Sequence, residues 1–161
     1  MIRRLLVISD THGNTRRLGT VLSQHADIKT VLFLGDGIND FAHLPEIRGR
    51  DVYFVGGNCD YGNSLVPSSR LEEFCGKKIF MCHGHGYHVK WDIEPLIEAA
   101  NARGADIALY GHTHEPECTF VNGLYVINPG SLGHPHGIKP SYAIIDVTEK
   151  DILPNIIYMK A

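Results

Sequence analysis

The chain has 161 residues, 43% of them hydrophobic and 20% charged, and a net charge of −3 with histidine neutral. That length suits one domain with a real core, 1–161, and not two. The charge excludes a nucleic-acid or membrane surface held by electrostatics alone, and no apolar stretch approaches the roughly 20 residues needed to span a bilayer. Met1-Ile2-Arg3-Arg4-Leu5 imitates the start of a secretory leader, but Ser9-Asp10 cuts the apolar run where a leader would need it. Four cysteines without C-x-x-C pairing read as free thiols of a reducing compartment, so a cytoplasmic location is expected.

The pattern predicts a buried strand over 3–9, then a helix over 15–26 with Leu18, Val21, Leu22 and Ala26 on one face and Thr15 as its N-cap. A second buried strand is expected over 30–35, a short helix or turn over 39–46 stopped near Pro45, and a third strand over 51–55. This βαβαβ opening implies parallel pairing with right-handed crossovers. Two strands follow, over 65–74 and 78–82, joined around Gly76. An amphipathic helix is expected over 92–103, with Trp91 near its start as core or edge packing, and a buried strand over 105–110. Asn122-Gly123 marks a hairpin between strands over 117–121 and 124–128. Strands over 141–147 and 152–158 close the chain. Arg3-Arg4, Arg16-Arg17 and Lys77-Lys78 read as solvated ends of elements.

Five apolar runs end in an oxygen or nitrogen donor. Leu5 to Ser9 runs into Asp10 and His12, Leu32 to Gly35 into Asp36, and Phe54 to Gly57 into Asn58. Ile79 to Cys82 runs into His83, and Ile107 to Gly111 into His112 and His114. Ligands of open α/β sheets bind beyond the carboxyl ends of strands. Two carboxylates, one amide oxygen and four imidazoles exceed the needs of one ion and suit two, with one carboxylate bridging ions roughly 3.5–4 Å apart. Mixed nitrogen and oxygen ligation without thiolate points to Mn, Fe, Co, Ni or Zn, and away from Ca or a structural cysteine-type zinc site. Ten histidines, clustered at the ends of apolar runs, fit the same reading. Asn14, Asp40 and Asp60 are either ligand-orienting residues or caps and turns.

Asp10-Thr11-His12, Gly35-Asp36, Gly57-Asn58, His83-Gly84-His85 and Gly111-His112-Thr113-His114 together resemble, in order, the motifs of the calcineurin-like metallophosphoesterases. Asn58-Cys59-Asp60 and Asn128-Pro129-Gly130-Ser131 are similar to the small YfcE-type phosphodiesterase branch. The resemblance implies an α/β fold, a four-layer αββα sandwich of two mixed β-sheets flanked by helices. It also implies a hydrolase of small phosphoesters using two divalent transition-metal ions, Mn²⁺ foremost among Ni²⁺, Fe²⁺, Co²⁺ and Zn²⁺. Carried over by motif, one ion takes Asp10, His12, Asp36 and His114, and the other takes Asp36, Asn58, His83 and His112, with Asp36 bridging. Catalytic roles would fall to Asp36, Asn58, Cys59 and His85, with a water shared by the ions attacking phosphorus in line.

Many relatives carry Gly-Asn-His-Glu, where this chain has Gly57-Asn58-Cys59-Asp60. A thiol replaces an imidazolium poorly as a leaving-group acid near neutral pH, which predicts a bias towards diesters over alkyl monoesters. The Pro-Gly-Ser segment continues to Pro135-His136, where relatives often place Arg or Lys. A phosphomonoesterase or nucleotidase on the same site is the alternative, and a non-catalytic scaffold like the retromer subunit of this family is a third. Relatives assemble, so a homo-oligomer is expected.

Overall fold

A computed structural model describes residues 1–137 and 139–160. The first sheet comprises β1 (Arg3–Ile8), β2 (Thr30–Phe33), β3 (Asp51–Phe54), β9 (Ser141–Val147) and β10 (Ile152–Tyr158), in the order β10-β9-β1-β2-β3. β1, β2 and β3 are parallel; β9 pairs antiparallel with β1, and β10 pairs antiparallel with β9 at the edge. The second sheet comprises β4 (Ser69–Phe74), β5 (Lys77–Cys82), β6 (Ile107–Leu109), β7 (Glu117–Val121) and β8 (Leu124–Asn128), in the order β4-β5-β6-β8-β7. Here β5, β6 and β8 are parallel, with β4 and β7 as antiparallel edges.

Alternation along the strands builds the layers. Leu5 and Val7 of β1 meet Ile79, Met81 and Leu109 of the second sheet in one core between the sheets. Leu6 and Ile8 face the other way, onto Leu18, Val21 and Leu22 of α1 (Thr15–Gln24). Phe80 and Ala108 likewise face Leu96, Ile97 and Ala100 of α2 (Glu94–Ala102). The result is the expected αββα sandwich. The central strands are buried on both faces, which is why they read as unbroken apolar runs. Each fully buried Leu or Ile contributes about 1.5–3 kcal/mol, so the sheet positions that carry the site are among the most strongly held in the molecule.

Several boundaries differ from the pattern. Asn14, not Thr15, caps α1: its side-chain oxygen accepts from the Arg17 N–H at 3.0 Å. Asn14→Ala is therefore expected to cost about 1 kcal/mol, read as a lower thermal midpoint. The second crossover holds no α-helix. It folds as two 3₁₀ turns, Ile38–Phe41 and Pro45–Ile47, and Pro45 opens the second turn instead of stopping a helix. Trp91 is 88% exposed and packs into no core. Arg17 is not a solvated end, because its guanidinium donates to the Leu132 carbonyl at 2.7 Å and ties that loop to α1. No helix among the described residues is long and apolar enough to cross a membrane.

Candidate metal centre

The loops leaving β1, β2, β5 and β6 converge where the two sheets meet. Backbone bonds join them: Asp10 N–H donates to Gly35 O, His12 N–H to Asp36 O, and Gly111 N–H to His83 O, all at 2.9–3.1 Å. One bond crosses between the sheets, from the His112 N–H to Asp10 Oδ2 at 3.1 Å. Close approach requires glycine at two of these joins. A Cβ on Gly111 would collide with Ser9 Oγ, and one on Gly57 would collide with the Asp36 carboxylate.

Asp10, His12, Asp36, His112 and His114 all hold φ between 44° and 70°, the left-handed region. Asp and His tolerate it better than most residues, yet each such residue costs free energy that the surrounding structure must supply. Strained backbone therefore coincides with five of the seven residues expected to hold metal.

Their side chains come together in two groups whose donor atoms lie within 4.8 Å of one another, Asp10–His12–His114 and Asp36–His83–His112. Asp10 Oδ1 lies 3.1 Å from His114 Nε2, 3.4 Å from His12 Nε2 and 3.8 Å from His83 Nε2. Asp36 Oδ2 lies 3.2 Å from His83 Nε2 and 3.6 Å from His12 Nε2, so it faces one member of each group. Asn58 is exposed on the neighbouring loop, and its amide nitrogen donates to Cys59 Sγ at 3.5 Å. His85 stands behind, its ring 5.4 Å from His83 and 6.0 Å from His112.

Two tautomers follow from the bonding. His83 Nδ1 lies 2.7 Å from the Leu34 carbonyl and His114 Nδ1 lies 2.7 Å from the His134 carbonyl. A carbonyl only accepts, so each Nδ1 carries the proton and each Nε2 turns a lone pair inward, the arrangement a metal-ligating histidine needs. Asp10 Oδ1 and His83 Nε2 are fully buried and have no hydrogen-bond partner among the described residues. An unpaired buried polar atom costs roughly 1–3 kcal/mol or more, and a cation among these donors would remove that cost. The donor set fits divalent transition-metal ions, which satisfy carboxylate oxygen and imidazole nitrogen together.

Charge is distributed accordingly. Burial works to raise the pKa of Asp10, but the imidazoles of His114, His12 and His83 close beside it outweigh burial and hold the carboxyl well below its usual range. Burial likewise opposes charge on Asp36 and His83, yet their mutual contact lowers the carboxyl and raises the imidazole. His112 is pushed down to about 4 by burial, with help from His83 and Lys90. It is neutral near pH 7, with a lone pair free to coordinate. Burial and the Asp36 carboxylate push the Cys59 thiol up.

Asp60 was ambiguous in the sequence and turns out to organise the site. Its Oδ2 accepts from the N–H groups of Asp36 and Gly57, both at 2.7 Å, and its Oδ1 from those of Gly37 and Ile38 at 2.9 and 3.0 Å. Asp40 does a smaller version of this, accepting from Thr11 Oγ1 and the Gly13 N–H. Asn128, of the Asn-Pro-Gly-Ser motif, donates to Gly111 O and Thr113 Oγ1 and holds the loop that carries His112 and His114. A cleft of about 380 Å³ opens beside the centre, lined by His12, Asp36, Cys59 and Tyr61.

A sandwich of two mixed sheets with carboxylates and imidazoles gathered at the strand ends is a frame fit to hold divalent metal ions. The chain belongs to the calcineurin-like phosphoesterase superfamily, whose domain model matches residues 4–150. It is 32% identical over 143 residues to the probable metallophosphoesterase YsnB of Bacillus subtilis strain 168, covering 88% of this chain and 82% of that protein. It is 28% identical over 170 residues to the phosphodiesterase YfcE of Escherichia coli K12, covering 89% and 87%. Among solved structures it is similar to a predicted phosphoesterase from Streptococcus pneumoniae TIGR4, with a TM-score of 0.83, 25% identity, and 98% and 90% of the two chains covered. The family implies divalent metal ions, and this chain has residues fit to hold them.

Proposed function

We propose that the protein is a phosphodiesterase working through a dinuclear metal site on small phosphoesters. The observation that carries this reading is the pair of buried donors without a partner among the described residues, Asp10 Oδ1 and His83 Nε2, set in two adjoining groups of carboxylates and imidazoles. Asp10, His12 and His114 would hold one ion and His83 and His112 the other. Asn58 would join the second ion by rotating its exposed amide. Asp36 would bridge, since its Oδ2 faces His12 and His83 at once. Mn²⁺ is the first ion to test, with Ni²⁺, Fe²⁺, Co²⁺ and Zn²⁺ compatible with the same donors. When bound, two such ions supply an acidified water and neutralise charge on the phosphoryl oxygens.

The chain's own residues do the rest. Asp10 and Asp36 set a negative, water-poor floor. The Nδ1 bonds of His83 and His114 hold their rings in the ligating orientation. His85, with an unpartnered buried Nδ1, stands near enough to contact the substrate or a ligand ring. Cys59 puts a thiol where a leaving-group acid would be needed, so leaving groups that require little protonation are favoured.

The test is a paired assay. Protein loaded with Mn²⁺ is expected to release p-nitrophenol from bis-p-nitrophenyl phosphate faster than from p-nitrophenyl phosphate, and chelator should stop both. Absence of metal-dependent release from either substrate overturns the enzyme reading. A faster monoester would instead assign a phosphomonoesterase.

A further inference from the structure

A third group of potential ligands belongs to neither set above. His12, Asp36 and Cys59 bring an imidazole nitrogen, a carboxylate oxygen and a sulfur within 4.8 Å of one another. We propose that Cys59 is a ligand of the metal centre, its sulfur sharing one ion with His12 and Asp36, and that this position therefore selects Zn²⁺, Co²⁺ or Fe²⁺ over Mn²⁺. The inference rests on the metal-centre reading above and changes its expected chemistry, which was ligation by nitrogen and oxygen alone.

Backbone geometry imposes the approach of the sulfur. The Cys59 N–H donates to Asp36 Oδ1 at 2.8 Å, so the residue is pinned beside the carboxylate expected to bridge. Asp60 then binds the N–H groups of Gly57 and Asp36 together, which locks the loop carrying Cys59 to the loop carrying Asp36. Metal–sulfur and metal–nitrogen distances of about 2.3 and 2.0 Å let one ion span up to about 4.3 Å, so a small rotation of the exposed Cys59 side chain is enough. Independently of Cys59, the two donor groups that share His12 and Asp36 with it call for a cation. The buried, unpartnered Asp10 Oδ1 points at His12 Nε2 from 3.4 Å, and the unpartnered His83 Nε2 at Asp36 Oδ2 from 3.2 Å. Cys75, Cys82 and Cys118 join none of these groups among the described residues.

On binding, the ion displaces the thiol proton to solvent and no redox change is involved. Thiolate is a soft ligand, and Mn²⁺ stands lowest in the divalent affinity order, so sulfur widens the gap between Mn²⁺ and the later ions. A metal-bound sulfur is also unavailable as a proton donor, in keeping with a preference for good leaving groups.

Cobalt spectroscopy tests this. The full-length protein, freed of metal by chelator, is titrated with Co²⁺. Visible ligand-field bands report that the centre binds the ion at all. A near-ultraviolet sulfur-to-cobalt charge-transfer band reports thiolate ligation. Both are expected in the wild type. Cys59→Ser should lose the near-ultraviolet band and keep the visible ones, and Cys118→Ser should keep both. Zn²⁺-over-Mn²⁺ selectivity in competition should fall by about tenfold or more in Cys59→Ser. Visible bands without the near-ultraviolet band, or a near-ultraviolet band that survives Cys59→Ser, overturn the proposal and leave the metal centre standing. No cobalt bands of either kind overturn both.

Discussion

Asp10→Asn is expected to lower phosphoester hydrolysis by more than about a hundredfold while leaving the metal-free fold as stable as the wild type. Loss of a residue that merely orients a ligand already costs about 10–100-fold, so loss of a ligand itself should exceed that. The fold should survive because the two oxygens of Asp10 have separate tasks. Oδ2 accepts from Ser9 Oγ and from the His112 N–H, and an amide oxygen can keep both bonds. Oδ1 has no partner and faces three imidazole nitrogens. An amide NH₂ in that place can donate to the inward lone pairs of His83 and His114, which relieves the metal-free protein but gives a cation nothing to bind. Two thermal scans separate the effects. Saturating metal stabilises a protein that binds it by about 2.7 kcal/mol at a hundred times its dissociation constant. The wild-type midpoint should rise with metal by a matching amount and the variant's should rise much less. An unchanged rise together with unchanged turnover would remove Asp10 from the centre.

The second large effect concerns Asp60, which touches no expected ligand side chain. Asp60→Ala should destabilise the protein by about 2–4 kcal/mol, measured as a lower urea midpoint with an unchanged slope. The carboxylate accepts four backbone N–H groups from two loops, and bonds to a charged acceptor are worth roughly 1.5–3 kcal/mol each before water replaces some of them. Asp60→Asn should recover part of the loss, since its amide keeps one acceptor oxygen and turns an NH₂ towards the other donors. Because the same loops carry Asp36 and Cys59, metal affinity should fall in both variants. A change within about 0.5 kcal/mol for Asp60→Ala, the usual range of a surface substitution, would show that the four bonds are not holding the loops.

The two effects differ in how much of them could be read in advance. Asp10 stood out because a carboxylate at the end of an apolar run has no reason to be there unless something cationic holds it. That argument depends only on order along the chain, and the same logic picked out Asp36, His83, His112 and His114. The αββα layering was legible for a related reason, since stretches buried on both faces must be apolar, as 5–8 of β1, 31–33 of β2, 79–82 of β5 and 107–109 of β6 are. The Asn122-Gly123 hairpin was legible because that dipeptide suits the left-handed turn it adopts, with φ of 48° and 83°.

Asp60 and Asn128 were not legible in this way. A carboxylate or amide in a polar loop reads equally well as a turn residue, and only the folded chain shows which backbone groups it bonds. The partnership of His12, Asp36 and Cys59 is of the same kind, because it joins residues from three different strand ends. Asn14 in place of Thr15 as the cap of α1, and the choice of two 3₁₀ turns between β2 and β3 where a short helix or a turn was open, were decided by local hydrogen bonding that periodicity does not record. Sequence alone determined which residue types meet at the strand ends and that they could hold metal, because periodicity and strand termini are local properties. The tertiary structure decided which donors face one another, which imidazole nitrogens turn inward and what holds the loops in place, because those depend on distances between segments far apart in the chain.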